Sequence, residues 1–88
     1  MTWTCELSEE AEQQLKRLPR KQQAQIAKAI DSLEADPTAG DVKALQGNQW
    51  RGWYRKRAGG YRLIFSLNHA EHVISVSAIL RRTEKTYR

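Results

Sequence analysis

The chain has 88 residues, 40% hydrophobic and 28% charged, with a formal net charge of +5; this length suits one modest core, and the composition excludes a disordered chain. The longest apolar stretch, Val73 to Leu80, is broken by two serines and is too short to span a bilayer. With Glu6, Glu9 and Glu10 where a signal peptide needs a basic start and an apolar run, a cytoplasmic protein with no membrane contact is expected. A single cysteine and two histidines offer neither an internal disulfide nor a zinc set, so no metal and no small-molecule cofactor is expected.

Residues 1–88 read as a single domain without linker, repeat or low-complexity tract. Thr2 to Leu7 alternates, with Trp3, Cys5 and Leu7 on the side expected to be buried, which makes Cys5 an inert core residue. Ser8 then offers an N-cap, and Glu9, Glu10 and Glu12 occupy the first helical turn, where carboxylates favour the positive end of the helix. Ala11, Leu15 and Leu18 share a face before Pro19 interrupts. A second helix is predicted over Arg20 to Ala35, with Ile26, Ala27, Ile30 and Leu33 at helical spacing and Asp36-Pro37 as its stop.

Thr38 to Gln49 is polar, contains Gly40 and Gly47, and reads as a loop with a short turn near Val42 to Leu45. From there the period becomes two. Trp53 to Arg57 is a predicted strand, Ala58-Gly59-Gly60 a tight turn, Tyr61 to Asn68 the returning strand, and Val73 to Ile79 the last strand after a turn at His69-Ala70-Glu71. His69 and His72 are expected to face solvent there. The order β-α-α-β-β-β predicts an α+β fold, with the helical hairpin on one face of a mostly antiparallel four-stranded sheet.

Charge is divided unevenly. Residues 1–42 hold five Lys/Arg against eight Asp/Glu, a net −3, whereas residues 43–88 hold ten against two, a net +8. A basic half of this density attracts polyanions. Strand parity sorts it further, because side chains at i and i+2 share a face. Tyr61, Leu63, Phe65 and Leu67 form one apolar set, so Arg62 points the other way with Ser66. Tyr54, Lys56 and Ala58 are the more apolar set of the preceding strand and should face the helices, leaving Arg55 and Arg57 opposite. With Ile74, Val76 and Ala78 as the apolar set of the last strand, Arg81 is expected to extend the polar row of Ser75 and Ser77. Arg55, Arg57, Arg62 and Arg81 would then converge on the sheet face away from the helices, where guanidinium forks match phosphate oxygens. Trp50 and Trp53 lie beside this region and can stack on bases, as aromatics do in single-stranded RNA recognition, or serve as core.

The run from Tyr54 through Gly60-Tyr61-Arg62 to Phe65, the strand Val73 to Ile79 and the ending Arg81-Arg82-Thr83-Glu84-Lys85-Thr86-Tyr87-Arg88 resemble the C-terminal half of RelE-family toxins of the RelE/ParE superfamily; Leu45-Gln46-Gly47 resembles the family's Leu-x-Gly. The resemblance implies the toxin of a toxin–antitoxin system: a metal-independent endoribonuclease that cuts messenger RNA in the ribosomal A site and is silenced by a cognate antitoxin. Its partners would be mRNA and the ribosome, including small-subunit ribosomal RNA. By position it makes Arg62, Arg81 and Tyr87 the catalytic candidates and sets Arg55 and Arg57 on the basic strand; these two, with Lys43, Lys56 and Arg82 of the same basic half, are the RNA-binding candidates. In the family chemistry the RNA's own 2′-hydroxyl attacks the adjacent phosphate, so the protein orients it, binds developing charge and assists two proton transfers. Arg55 and Arg57 fall where relatives carry lysines, and arginine does not deprotonate, so the base is unassigned between Lys56 brought round by a bulge, Glu84 and Tyr87. The superfamily leaves two alternatives: a ParE-like toxin that inhibits DNA gyrase without nuclease chemistry, and an inactive relative that only binds RNA or the antitoxin.

Overall fold

The computed structural model describes residues 3–81. Thr4–Leu7 form strand β1, Glu9–Lys16 helix α1, Arg20–Ala35 helix α2, Val42–Ala44 strand β2, Trp53–Ala58 β3, Tyr61–Asn68 β4 and Val73–Arg81 β5, with a 3₁₀ turn at Asn48–Trp50. The sheet has the order β1-β5-β4-β3-β2 and is antiparallel except for β1 against β5. The α+β hairpin-on-sheet architecture is as expected, but with five strands rather than four. The additional one, β2, lies in the segment read as a loop. It is three residues long and pairs only with β3, too short for alternation to show.

Local chemistry explains the element boundaries. The Ser8 hydroxyl oxygen accepts from Ala11 N at 3.0 Å, capping α1, and the same hydroxyl donates to Ser77 O at 2.9 Å, fastening the helix start to β5. Between the helices, the Gln23 amide donates to Leu18 O at 2.9 Å and Lys16 O at 3.3 Å, replacing partners that α1 leaves open at its end. Asp36 stops α2 by accepting from the Thr38 backbone N and hydroxyl, and these bonds hold its carboxyl below the usual carboxylate range. At the β3–β4 hairpin Gly59 sits at φ 60°, a left-handed position that a residue with a Cβ adopts only at a cost.

The core lies between the helices and one sheet face: Ala11, Ile26, Ala29 and Leu33 from the helices meet Ala58, Leu63, Phe65, Ile74, Val76 and Ile79 from the strands. Ala27, expected in the helical apolar set, is exposed, and Ala29 takes the buried position with Ile26 and Leu33, because the face of α2 that meets the sheet is centred on the i, i+3, i+7 series. Trp3, Cys5 and Leu7 pack against this core from β1 as their alternation predicts. Burial and the neighbouring Glu34 and Glu6 carboxylates push the Cys5 thiol up to about 11, in keeping with a chemically quiet side chain.

Two helix side chains attend to one edge of the sheet, that of β1 and the exposed end of β5. Glu34 accepts from Cys5 N at 3.1 Å on the outer side of β1, and Gln14 accepts from Ile79 N at 2.7 Å, where β5 runs on beyond the end of β1. The turn before β5 is packed too. His72, at φ 56°, stacks on Trp3 with ring centroids 4.8 Å apart, and His69 meets the same indole edge-on at 5.5 Å. His69 is exposed as expected, whereas His72 is half-buried, because the indole covers one face of its ring.

Candidate nucleic-acid interface

The pairing register fixes which side chains share the sheet face away from the helices. Across β3 and β4, Tyr54 opposes Phe65, Lys56 opposes Leu63 and Ala58 opposes Tyr61; all six belong to the helix side. The intervening pairs, Trp53 with Ser66, Arg55 with Ile64 and Arg57 with Arg62, therefore occupy the open side. Lys43 of β2 opposes Arg55 and joins the same row. Lys43, Arg55, Arg57 and Arg62 are thus neighbours on three adjacent strands, and among the described residues no helix covers them. Beneath them Ile64, only 2% exposed and outside the main core, lies between Arg55 and Ala78. Arg55 and Arg62 are half-buried at this spot, their aliphatic stems being the groups the register sets beside the isoleucine.

Two of the expected site residues are elsewhere. Lys56 is 6% exposed and faces the helices, its ammonium donating to Ala39 O at 3.3 Å, so it does not share the open face with Lys43, Arg55 and Arg57. No bulge interrupts β3 to bring it round, and parity alone determines its side. Arg81 does not join Arg62. A register shift between Ile64 and Phe65 leaves Ser77 of β5 without a partner on β4, so Val76 pairs with Phe65 but Ala78 pairs with Ile64. That extra residue exchanges the two faces of β5 beyond it. Ile79 enters the core, Leu80 stands opposite Arg62, and Arg81 opposes Tyr61 on the helix side, lining a groove with Gln14, Arg17, Leu18 and Pro19. Arg82 and Tyr87 lie outside the described residues.

Sequence reasoning missed one charged member of the open face. Asp41, directly before β2, places its carboxylate 3.4 Å from Arg57 Nε, and its backbone carbonyl accepts from Arg57 N at 3.2 Å. Counted by position it closes the acidic half of the chain, and with β2 read as a loop nothing tied it to the basic strand. Trp53 shares the open side with Ser66, and Trp50 sits in the 3₁₀ turn leading to β3. Trp50 Nε1 and Arg55 Nη1 are buried and have no hydrogen-bond partner among the described residues, donors whose desolvation costs about 1–3 kcal/mol each until an acceptor meets them. Among the described residues no cluster of His, Cys, Asp and Glu is arranged to hold a metal ion, and no helix is long and apolar enough to cross a membrane.

Residues 5–86 match the family described as the ParE toxin of the type II toxin–antitoxin system, parDE. The chain belongs to the ParE toxin family. It is therefore the toxin of a type II toxin–antitoxin system within the RelE/ParE superfamily. Solved structures of this superfamily superpose over almost the whole chain. The archaeal RelE–RelB complex of Pyrococcus horikoshii is similar with a TM-score of 0.81 and 28% identity, covering 97% of this chain and 100% of that one. The Mycobacterium tuberculosis RelBE2 toxin–antitoxin complex gives 0.83 at 20% identity, covering 93% and 100%. The isolated Escherichia coli RelE toxin gives 0.77 at 19% identity, covering 96% and 88%. The last two likenesses speak for the fold alone. No curated protein sequence matches significantly.

Proposed function

We propose that this ParE-family toxin binds RNA through the open face of its sheet and cleaves messenger RNA, most effectively on the ribosome, and that a cognate antitoxin holds it silent. The observation that carries the reading is the row of Lys43, Arg55, Arg57 and Arg62, contiguous cations on a sheet face that no helix among the described residues covers. Arginine forks fit phosphate oxygens and remain charged at every physiological pH, so such a row binds a polyanion and stabilises charge that grows on a phosphodiester. Arg55 Nη1, which has no hydrogen-bond partner among the described residues, is one donor that a phosphate oxygen would satisfy. In this reading Arg62 meets the scissile phosphate, and Lys43, Arg55 and Arg57 hold the flanking backbone. Tyr87 orients the ribose or stacks on a base, and Arg82 adds a backbone contact. Arg81, beyond the bulge on the other side of the sheet, is left out of the phosphate site. The antitoxin is proposed because the chain's family is that of type II toxin–antitoxin toxins and the Pyrococcus neighbour is itself a toxin–antitoxin complex.

A second reading follows from the family itself: a ParE-like toxin that inhibits DNA gyrase would use the same cationic face without cutting RNA. Inducing the toxin in growing cells, mapping new messenger 5′ ends and measuring plasmid supercoiling separates the two. New 5′ ends within coding regions with unchanged supercoiling are expected; intact messengers with relaxed plasmids would replace the nuclease reading by gyrase inhibition.

A further inference from the structure

Transfer of a phosphodiester to its own 2′-hydroxyl needs a destination for the hydroxyl proton, and the arginines of the open face provide none. Lys56, the titratable side chain nearest in sequence, is turned into the helix side. His69 and His72 are engaged with Trp3 at the end of the sheet where β5 begins. Glu6 pairs with Ser75 on β1, and the strand order separates it from Arg55 and Arg57 by β5 and β4, roughly 14 Å at the usual strand spacing. Lys43 is in the row, but as an ammonium it has no acceptor to offer. Among the described residues one acceptor remains in contact with the cationic row. It is the Asp41 carboxylate, 3.4 Å from Arg57 Nε, and Arg57 is the cross-strand partner of Arg62.

Resting on the nuclease reading, we propose that Asp41 is the proton acceptor of this toxin, a catalytic residue held at rest against Arg57 and freed when an RNA phosphate takes Arg57 as its partner. Both side chains are substantially exposed, so their pairing is weak and a phosphate displaces it at little cost. The displacing phosphate then lies next to the released carboxylate, with its ribose within proton-transfer reach. Asp41 takes the 2′-hydroxyl proton as the 2′ oxygen forms its bond to phosphorus. The bond from phosphorus to the 5′ oxygen breaks, and the electron pair leaves on that oxygen, which takes a proton from water. The hydroxide produced receives the proton from Asp41, restoring the carboxylate. The products are a 2′,3′-cyclic phosphate and a 5′-hydroxyl, with Arg57 and Arg62 bearing the charge on the phosphoryl oxygens.

This assignment makes binding and chemistry move in opposite directions. Neutralising Asp41 removes a negative charge from a phosphate-binding face, so Asp41→Asn should bind RNA more tightly while cleaving more slowly. A residue that merely trims the surface charge would improve both together. The experiment is single-turnover cleavage of a defined messenger on programmed ribosomes at saturating toxin, with affinity measured separately on a single-stranded RNA of the same sequence. Asp41→Asn is expected to slow cleavage about a hundredfold or more, the scale of losing a positioned base, with an unchanged or lower Kd. Asp41→Glu should retain part of the rate, and added formate should partly restore Asp41→Ala. Wild-type cleavage together with an Asp41→Asn rate equal to it, or an Asp41→Ala defect that formate leaves untouched while Asp41→Glu is equally slow, overturns the assignment. A wild-type toxin that cuts no RNA overturns the nuclease reading and the assignment with it.

Discussion

The two faces of the sheet are built from alternate residues of the same strands and follow opposite rules. On the helix side of β3 and β4, Tyr54, Lys56, Ala58, Leu63 and Phe65 are half-buried or buried, and even the lysine has given up water for a backbone carbonyl. One residue away, Lys43, Arg55, Arg57 and Arg62 form a charged row set among Trp53, Ile64, Ala78 and Leu80. The difference teaches that net charge locates a polyanion surface only after parity has removed the cations pointing inward. Lys56 stands between two arginines in sequence and behaves unlike either.

The largest expected effect that would test this division is on the helix side. Phe65→Ala should lower the unfolding free energy by about 3–5 kcal/mol, measured by urea denaturation, since the ring is fully buried and surrounding side chains relax only partly into such a cavity. On the open side the effect should appear in binding instead. Lys43→Ala combined with Arg57→Ala should flatten the double-logarithmic salt dependence of single-stranded RNA binding by about 1.4, at roughly 0.7 per lost phosphate contact, while stability shifts by about 1 kcal/mol at most. A salt slope identical to that of the wild type would mean that the polyanion binds elsewhere.

Lys56→Met should do the reverse of its neighbours. With the buried ammonium replaced by an apolar side chain of similar length, stability is expected to change by no more than about 1 kcal/mol, and RNA affinity should stay within about twofold. A tenfold loss of affinity, about 1.4 kcal/mol, would put Lys56 back among the RNA-binding groups. The smallest effect belongs to Cys5. Its thiol, raised to about 11 in the fold, keeps its proton when the unfolded thiol has begun to lose its own, so the stabilisation is complete below about pH 9 and is lost as pH rises from there through 11. Native-state alkylation at pH 8 should accordingly be much slower than alkylation in urea.

How much could be read in advance differs from element to element for physical reasons. Both helices were legible because Ser8, Pro19 and Asp36 mark their ends chemically, and the inward side of β4 because Leu63 and Phe65 mark it, whereas the facing of β3 follows from its pairing with β4. The bulge at Ser77 left no mark: Ser77-Ala78-Ile79-Leu80 contains neither glycine nor proline, and its small and apolar residues suit either parity. Arg81 was therefore carried to the wrong side by one uncounted residue, and Asp41 was overlooked because three residues of β2 are too few to display a period. Most of the arginine row could be read from alternation; its acidic neighbour required the pairing of β2 with β3.

The bonds from Gln14 to Ile79 N and from Glu34 to Cys5 N bear on how the molecule behaves in a crowd. A protein with this much strand and two sheet ends is at risk of joining copies of itself through bare ladder positions. Here each of those two donors is already occupied by a side chain from a helix, so a newcomer's backbone must first evict a bond of 2.7 or 3.1 Å before it gains one of its own. Growth at the β1 edge therefore begins with an exchange rather than a net gain. Protection of this edge thus rests on a glutamine and a glutamate that belong to neither the arginine row nor the buried core.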